Sequence, residues 1–363
     1  MKHFDVAVVG AGILGASAAW YLTRAGRSVV VLDAAEPGSG TSANSFAWIN
    51  AVRKEPDAYH RLNADGVAAY TALAGELRVD FGYRPGGSLE WTEDAASDAE
   101  LRGRVARLAH RGYPAELVTR EAALALEPGL AIGASARSIA FYAGDAWVDA
   151  PRLVRVLLGD AAARGAEVRG GTAVRSVRTR GSQVEAVVTD TGEVVADSVL
   201  FCVGPATADV LAPFGAKLPV NRVPGLLAVT TAPSTPLGRV VHAPGIHLRP
   251  EPGGGLRLGA DDVDKLITET AAPPELGEAL LERARRVFPP ARDTRLAGTR
   301  IGVRPMPGDG HTIAGRIPGL ANGFVVVTHS AVTMGPLLGR LIATEIVGQP
   351  PSPQLAPFRP DRF

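Results

Sequence analysis

One segment near the N-terminus constrains the architecture of the chain more than any other: residues 4–33, which read FDVAVVGAGILGASAAWYLTRAGRSVVVLD. Its first six residues form a largely apolar, β-branched run, which is typical of a central parallel strand. The run ends in the G-x-G-x-x-G sequence of residues 10–15, and a helix is predicted from about Ile13 to Ala25. A second strand over residues 28–32 ends at Asp33. The segment therefore predicts a β-α-β unit with a glycine-rich turn.

The spacing of the glycines and the acid suits a bound dinucleotide. Gly10 permits a tight turn, Gly12 lets a pyrophosphate approach the backbone, and Gly15 lets the helix pack closely on the strand. The helix N-terminus offers N–H groups and its positive dipole end to phosphate. Asp33, eighteen residues after Gly15, is placed to accept hydrogen bonds from ribose hydroxyls. The residues predicted to bind an adenine dinucleotide in this unit are Gly10, Gly12, Ile13, Leu14, Gly15, Asp33 and Ala34.

The composition is that of a globular protein and argues against several classes. The chain has 363 residues, 46% hydrophobic and 21% charged, which suits two domains or one large one. Lysine and arginine (38) nearly balance aspartate and glutamate (37), so no charge excess favours nucleic acid or an anionic membrane. The uncharged run between Asp5 and Arg24 contains three glycines, which argues against a membrane span. A single cysteine, Cys202, and histidines without metal-ligand spacing predict a cytoplasmic protein with neither a disulfide nor a metal site.

Residues 38–50, directly after the second strand, bear on which dinucleotide binds. They read GSGTSANSFAWIN and are rich in small and hydroxylated residues. Small residues let a backbone pass close to a flat ring, and hydroxyl groups can bond to pyrophosphate oxygens. A flexible surface loop is the alternative, but Phe46 and Trp48 would be poor choices for one. The residues of this segment predicted to contact the cofactor are Thr41, Ser42, Ser45, Phe46 and Ala47.

Four motifs, in this order, resemble those of the D-amino-acid oxidase family of FAD-dependent enzymes, which includes glycine oxidase, sarcosine oxidase and D-amino-acid dehydrogenase. The first two are the glycine-rich unit and the segment described above. The third comprises residues 171–174, 184–187 and 199–204. The fourth comprises the Gly-Val-Arg-Pro sequence of residues 302–305 and the glycine-rich turn and helix of residues 323–336. The additional cofactor-binding residues that the resemblance implies are Val174, Gly204, Arg304, Val332, Thr333 and Met334.

The resemblance also implies a reaction, which is hydride transfer from the Cα of an amine or amino acid to flavin N5, giving an imine. In the family an arginine binds the substrate carboxylate bidentately, and Arg304 is the matching residue. His247 stands where glycine oxidase has a tyrosine, and it either hydrogen-bonds the substrate or is structural. Arg257 replaces a lysine of sarcosine oxidase, which keeps a cation beside the flavin and leaves the reaction with oxygen open. Arg304, His247 and Arg257 are therefore the candidate catalytic residues.

The FAD is expected to be bound non-covalently. The sarcosine-oxidase branch ties its flavin to a cysteine just before the fourth motif, where this chain has Ile301 and Gly302. Cys202 falls in an expected buried strand and is interpreted as a core residue. His329, which matches a Gly-His of the family, is interpreted as orienting the flavin loop.

The expected fold is α/β. It is a Rossmann-type FAD-binding domain of the glutathione-reductase-like kind with a second, mostly antiparallel β-sheet domain inserted for the substrate. Strand–helix alternation breaks after residue 50, and the later strands around residues 226–259 are short and punctuated by proline and glycine. The proline-rich tail, residues 348–363, is expected to lie extended on the surface. The cofactor domain is assigned to residues 1–50, 151–215 and 296–363, and the substrate domain to residues 51–150 and 216–295.

Two alternatives to an amine or amino-acid oxidase or dehydrogenase stay open at this point. A Rossmann-type NAD-dependent dehydrogenase accounts for the first fifty residues but not for the later motifs. A non-catalytic flavin-binding protein accounts for all of them. The substrate is left as glycine, sarcosine, a D-amino acid, an imino acid or another amine, and the electron acceptor as oxygen or another acceptor. The protein is expected to be a monomer or a homodimer.

Overall fold

The computed structural model describes residues 2–363. Its helices are α1 (Ile13–Arg24), α2 (Asp57–Leu77), α3 (Ala95–His110), α4 (Arg120–Leu126), α5 (Ala150–Ala163), α6 (Thr207–Leu211), α7 (Glu275–Val287) and α8 (Ala331–Ile346). Its strands are β1 (His3–Val9), β2 (Val29–Leu32), β3 (Trp48–Ile49), β4 (Tyr83–Pro85), β5 (Ser88–Trp91), β6 (Ala115–Val118), β7 (Ile139–Tyr142), β8 (Ala146–Val148), β9 (Glu167–Arg169), β10 (Val174–Arg180), β11 (Gln183–Thr189), β12 (Gly192–Phe201), β13 (Val220–Thr230), β14 (Val240–Ala243), β15 (Ile246–Pro250), β16 (Leu256–Gly259), β17 (Leu296–Pro307), β18 (Ile313–Arg316) and β19 (Gly323–Val327).

The first sheet is built around the N-terminal β-α-β unit. β1 lies between β2 and β12 and pairs in parallel with both, and β9 and β19 continue the parallel pairing outside them. The hairpin β10–β11 extends the sheet antiparallel to β12. Apolar side chains of β1 and β2 are buried on both faces, as is expected of central strands, and α1, α5 and α8 pack on one of those faces. The predicted β-α-β unit is therefore confirmed.

The second sheet has the order β17-β13-β16-β15-β14-β5-β7-β6. All of its neighbours are antiparallel except the pair β14 and β5. The apolar side of α7, with Leu280 and Leu281, packs into the hydrophobic core of this sheet. A third, short sheet has the order β3-β8-β4. In the sequence its strands lie close to strands of the two larger sheets. The α/β class with a second, mostly antiparallel sheet is confirmed.

The position of β17 bears on the proposed domain boundaries. The sequence-based division places residues 296–307 in the cofactor domain. β17 nevertheless pairs with β13 along its whole length, from Val220 opposite Pro307 to Thr230 opposite Leu296. We therefore propose that the C-terminal cofactor segment begins after Pro307, so that the cofactor domain and the substrate sheet meet at the end of β17.

The C-terminal tail differs from the expectation. Residues 353–358 and 360–362 form short 3₁₀ turns, and the side chains of Leu355 and Phe358 are buried in the core beside α8. Arg359 donates to Glu345 of α8 at 2.6 Å. The expectation of an extended surface tail is therefore wrong, because the tail carries apolar side chains that bury and a cation that pairs. Within the described residues, no helix has the length and apolar character needed to cross a membrane.

Candidate active site

A cavity of about 1090 Å³ is lined by residues of both large sheets. This volume is slightly larger than the usual range for small-molecule sites and suits a large cofactor together with a substrate. One part of its wall is formed by the ends of β1 and β2 and the start of α1. Another part is formed by β13, the end of β16 and β17. The cavity therefore joins the glycine-rich turn to the Gly-Val-Arg-Pro segment.

The glycine-rich turn provides space for a phosphate group. Gly10 has a φ of +100°, and a Cβ there would collide with the carbonyl oxygen of Cys202. Gly12 is the N-cap of α1 and, having no side chain, leaves the start of the helix uncovered. It lines the cavity together with Ile13 and Leu14. The N-terminal turn of α1 therefore presents backbone to the cavity, which is the arrangement that binds pyrophosphate. Gly15 lies outside the cavity wall and packs against the Gly10 carbonyl. Its predicted role in helix–strand packing agrees with this position, whereas its inclusion among the cofactor-binding residues is corrected.

Asp33 lies on the cavity wall beside Ala34. Its two carboxylate oxygens accept hydrogen bonds from the backbone N–H groups of Ala11 at 2.6 Å and Ala35 at 2.9 Å. An ionised carboxylate has about four acceptor positions, so acceptor positions remain for ribose hydroxyls. The backbone contacts fix the direction in which these positions point.

Asp33→Asn is expected to weaken FAD binding by about 10- to 100-fold, because a hydrogen bond to a charged group contributes about 1.5–3 kcal/mol. The measurement is the dissociation constant of FAD from apoprotein, followed by flavin fluorescence. Glu36→Gln is the control, because Glu36 is exposed on the same segment and lies outside the cavity wall. Equal FAD affinity of Asp33→Asn and wild type would contradict the role given to Asp33.

Hydrogen bonds hold the segment of residues 38–47 to α1 and to β17. Ser42 Oγ accepts the N–H of Ile13 at 3.1 Å, and Thr41 Oγ1 donates to the carbonyl of Val303 on β17 at 2.8 Å. Ser45 Oγ accepts the N–H of Ala47 at 3.0 Å. The hydroxyl groups of Thr41 and Ser42 thus make protein contacts that hold the segment between α1 and β17. All five residues predicted from this segment line the cavity, namely Thr41, Ser42, Ser45, Phe46 and Ala47.

Most of the other predicted cofactor residues also lie on the cavity wall. They are Val174, Gly204, Arg304, Val332 and Thr333. Met334 does not, because its side chain is completely buried behind the wall, where Thr312 Oγ1 lies 3.9 Å from its sulfur. Met334 follows Thr333, the last residue of α8 on the cavity wall. The prediction that Met334 binds the cofactor is therefore corrected. Cys202 is buried in the core, and burial raises the pKa of its thiol.

Arg304 faces the cavity, and part of its guanidinium group is already bound to other protein groups. Its Nη2 lies 2.9 Å from Asp264 Oδ2 and donates to the carbonyl of Pro224 at 2.7 Å. The Nη1 atom makes no hydrogen bond to any described residue, and a third of the side chain is exposed, 33%. Asp264 is half-buried, and burial raises its pKa although Arg304 acts in the opposite direction. Arg304 therefore offers donors to a ligand while its charge is balanced by Asp264.

His247 lies on the cavity wall in a short chain of polar groups. Its Nδ1 is 2.9 Å from Nδ1 of His242, and its Nε2 is 3.5 Å from Asp261 Oδ1. The buried His242 lies against Trp48, with ring centroids 4.1 Å apart, and burial and His247 hold its pKa well below the usual range. The neutral His242 fixes the ring of His247. The geometry therefore supports both readings of His247, as a structural residue and as one that reaches the ligand.

Arg257 is placed differently from the expectation. It is buried behind the segment of residues 38–47 and lies outside the cavity wall. Its Nε and Nη2 each donate to Glu251 at 2.7 Å, and Nη1 donates to the carbonyl of Ser45 at 2.6 Å. Glu251 is its carboxylate partner and also lies 3.4 Å from the buried Arg249. The expectation of a cation beside the flavin is thus corrected to a side chain that supports the backbone of the segment.

Lys54 and His329 are cavity residues that the motifs did not identify as ligand-binding. Lys54 lies on the loop between β3 and α2, and protein enclosing its side chain, together with the neighbouring Arg53, lowers its pKa to about 8. His329 lies just before α8 with its side chain open to the cavity, and loss of hydration there, Lys54 and Arg304 lower its pKa to about 4. Lys54 belongs to no motif, so the only signal in the sequence is a cation shortly after the segment of residues 38–50.

Comparisons with known proteins agree with this architecture. The sequence model of the family described as FAD dependent oxidoreductase (DAO) matches residues 5–345. Glycine oxidase of Geobacillus kaustophilus (strain HTA426) is 29% identical over 370 residues, covering 99% of this chain and 97% of the relative. A crystal structure of glycine oxidase from Geobacillus kaustophilus superposes with a TM-score of 0.89 at 27% identity and full coverage of both chains, 100% each. A crystal structure of iminodiacetate oxidase from Chelativorans sp. BNC1 superposes with a TM-score of 0.84 at 25% identity, covering 98% of each chain.

Proposed function

Because the chain belongs to the FAD dependent oxidoreductase (DAO) family, we propose that it oxidises the C–N bond of an amino acid by hydride transfer from Cα, giving an imine. The family assignment favours FAD over NAD, which the glycine-rich unit alone left open. The observation that carries the proposal is the single cavity that joins the cofactor turn at Gly10 to the donors of Arg304. Glycine oxidase and iminodiacetate oxidase, to which the chain is similar, are named for amines that carry carboxylates.

The residues of the cavity fit FAD bound without a covalent bond. The turn at Gly12 suits the pyrophosphate, Asp33 suits the ribose, and the backbone around Ala47 suits a flat ring. Bound FAD supplies the two-electron acceptor for the hydride. Cys202, the single cysteine of the sequence, lines the cavity beside Gly10, but its side chain is buried and burial raises the pKa of its thiol, which supports non-covalent attachment.

The residues of the chain position the substrate. Arg304 donates from Nη1 to the substrate carboxylate, which sets the distance and direction of Cα. His247, held by His242 and Asp261, lines the same cavity and is proposed to orient the amine. Phe46 and Trp48 cover this part of the cavity with apolar surface, which reduces the access of water.

The test of the proposed function is spectroscopic. Purified protein is expected to be yellow, and denaturation is expected to release FAD into the supernatant. Under anaerobic conditions the flavin absorbance is expected to bleach with at least one member of a panel of glycine, sarcosine, D-amino acids, imino acids and iminodiacetate. Readmission of air then shows whether oxygen is the acceptor. Protein that retains NAD and no flavin, or a flavin that no member of the panel bleaches, would contradict the proposal.

A further inference from the structure

The charged side chains on the cavity wall are almost all paired. Arg53 donates to Glu90 at 2.7 Å, and Arg222 donates to Glu269 at 2.6 Å. Arg304 is paired with Asp264, as described above. Each of these three guanidinium groups therefore has a carboxylate partner, and Glu90 is shared between Arg53 and the buried Arg104, which donates to it at 2.6 Å.

Lys54 is different from these arginines. It lines the cavity, yet its ammonium makes no ion pair and no hydrogen bond with any residue between 2 and 363. Its neighbour Glu55 is occupied by Arg111, which donates to it at 2.9 Å and 2.6 Å. Lys54 is partly exposed to the cavity, and an unpaired ammonium that has lost part of its hydration favours an anionic ligand beside it.

The other titratable groups around Lys54 do not supply a counter-ion. Besides Arg53 and Glu55 on its own loop, the titratable cavity residues connected to Lys54 or to its neighbours are Tyr59 of α2, Asp261, Arg304 of β17, His311 before β18 and His329 before α8. Asp261 lies 3.5 Å from His247 and makes no ion pair with Lys54. Of these, His329 is neutral near pH 7, because its pKa is lowered to about 4. His311 is engaged by the carbonyl of Glu55 at 2.9 Å and faces Asp309.

From this juxtaposition we propose that Lys54 supplies the positive charge that binds the substrate carboxylate, while Arg304 supplies a directional hydrogen bond. The inference rests on the proposed function and adds a specificity-determining residue to the same site. The ligand it selects is an amine that carries at least one carboxylate. An amine without an acidic group would leave Lys54 without a counter-ion and would bind weakly.

Protonation of Lys54 makes the binding dependent on pH. Its ammonium is present below pH 8 and is lost as the pH rises, because its pKa is about 8. The dissociation constant of a carboxylate ligand is therefore expected to rise about tenfold between pH 7 and pH 9. Arginine stays charged over this range, so Lys54→Arg is expected to remove the rise.

The experiment measures acetate binding to the FAD-loaded protein by calorimetry and by the change in flavin absorbance. At pH 7, Lys54→Met is expected to weaken acetate binding by about 10- to 100-fold. Lys54→Arg is expected to retain binding and to show a flat profile from pH 7 to pH 9. Lys217→Met is the control, because Lys217 is exposed and lies outside the cavity wall.

The outcomes separate this inference from the proposed function. Wild-type protein that binds no FAD, or bleaches with no amine, contradicts the function itself. Wild-type protein that bleaches, with Lys54→Met binding acetate within twofold of wild type, overturns the role of Lys54 alone. Should Lys54→Met lose FAD, the pH profile of Lys54→Arg decides, and a tenfold rise like that of wild type overturns the inference.

Discussion

Arg304→Met is expected to lower kcat/KM for an α-amino acid by about 30- to 4000-fold, because truncating one partner of a partly buried charge pair costs about 2–5 kcal/mol. Two effects add. The substrate carboxylate loses the Nη1 donor that orients it. Asp264 loses its cation, and its half-buried carboxylate then repels the carboxylate of the substrate. The measurement is steady-state or anaerobic flavin reduction kinetics with the best substrate of the panel.

Two further variants isolate the part played by Asp264. Arg300→Met is the matched control, because Arg300 lies on the same strand β17 but is exposed and outside the cavity wall. Asp264→Asn added to Arg304→Met removes the repulsion and is expected to recover roughly tenfold of the lost kcat/KM. A kcat/KM for Arg304→Met equal to that of Arg300→Met would remove Arg304 from the substrate site.

The local parts of the fold and site could be predicted from sequence. The turn at Gly10, the N-terminus of α1 and the acid Asp33 follow one another within about thirty residues, so their geometry is set by a strand, a turn and a helix in direct succession. The segment that follows is equally close to that unit, and the five residues predicted from it, Thr41, Ser42, Ser45, Phe46 and Ala47, line the cavity.

The partners of the site residues could not be predicted in the same way. Asp264 meets Arg304 because Asp264 accepts the N–H of Leu226 on β13, and β13 pairs with β17 in a register that brings Val223 opposite Arg304. Arg257 is turned away from the cavity by Glu251, six residues before it and across the β15–β16 hairpin. Lys54 stands out only because other cavity cations have counter-ions, a property of packing rather than of any motif. In each case a contact distant in sequence, or the burial of a charge, determines the outcome.

The contact between β17 and the cofactor segment shows how such a distant constraint can be tested. Gly302 was singled out in the sequence as part of the Gly-Val-Arg-Pro motif, without a reason for glycine at that position. A Cβ on Gly302 would collide with the backbone carbonyl of Asn44. The next residue, Val303, accepts the hydrogen bond from Thr41. Glycine is therefore required so that β17 and the segment of residues 38–47 can lie backbone to backbone.

Gly302→Ala is expected to weaken FAD binding by about 100-fold or more, because the added methyl group meets backbone, which cannot rotate away as a side chain would. Relief of the collision moves the segment away from β17 and breaks the Thr41–Val303 hydrogen bond, which opens the wall around the flavin. The measurement is the FAD content after purification and the FAD dissociation constant of the apoprotein. Gly298→Ala lies on the same strand, meets no atom within 4 Å, and is expected to bind FAD as wild type does. Similar FAD affinities of the two variants would show that β17 does not hold the cofactor segment in place.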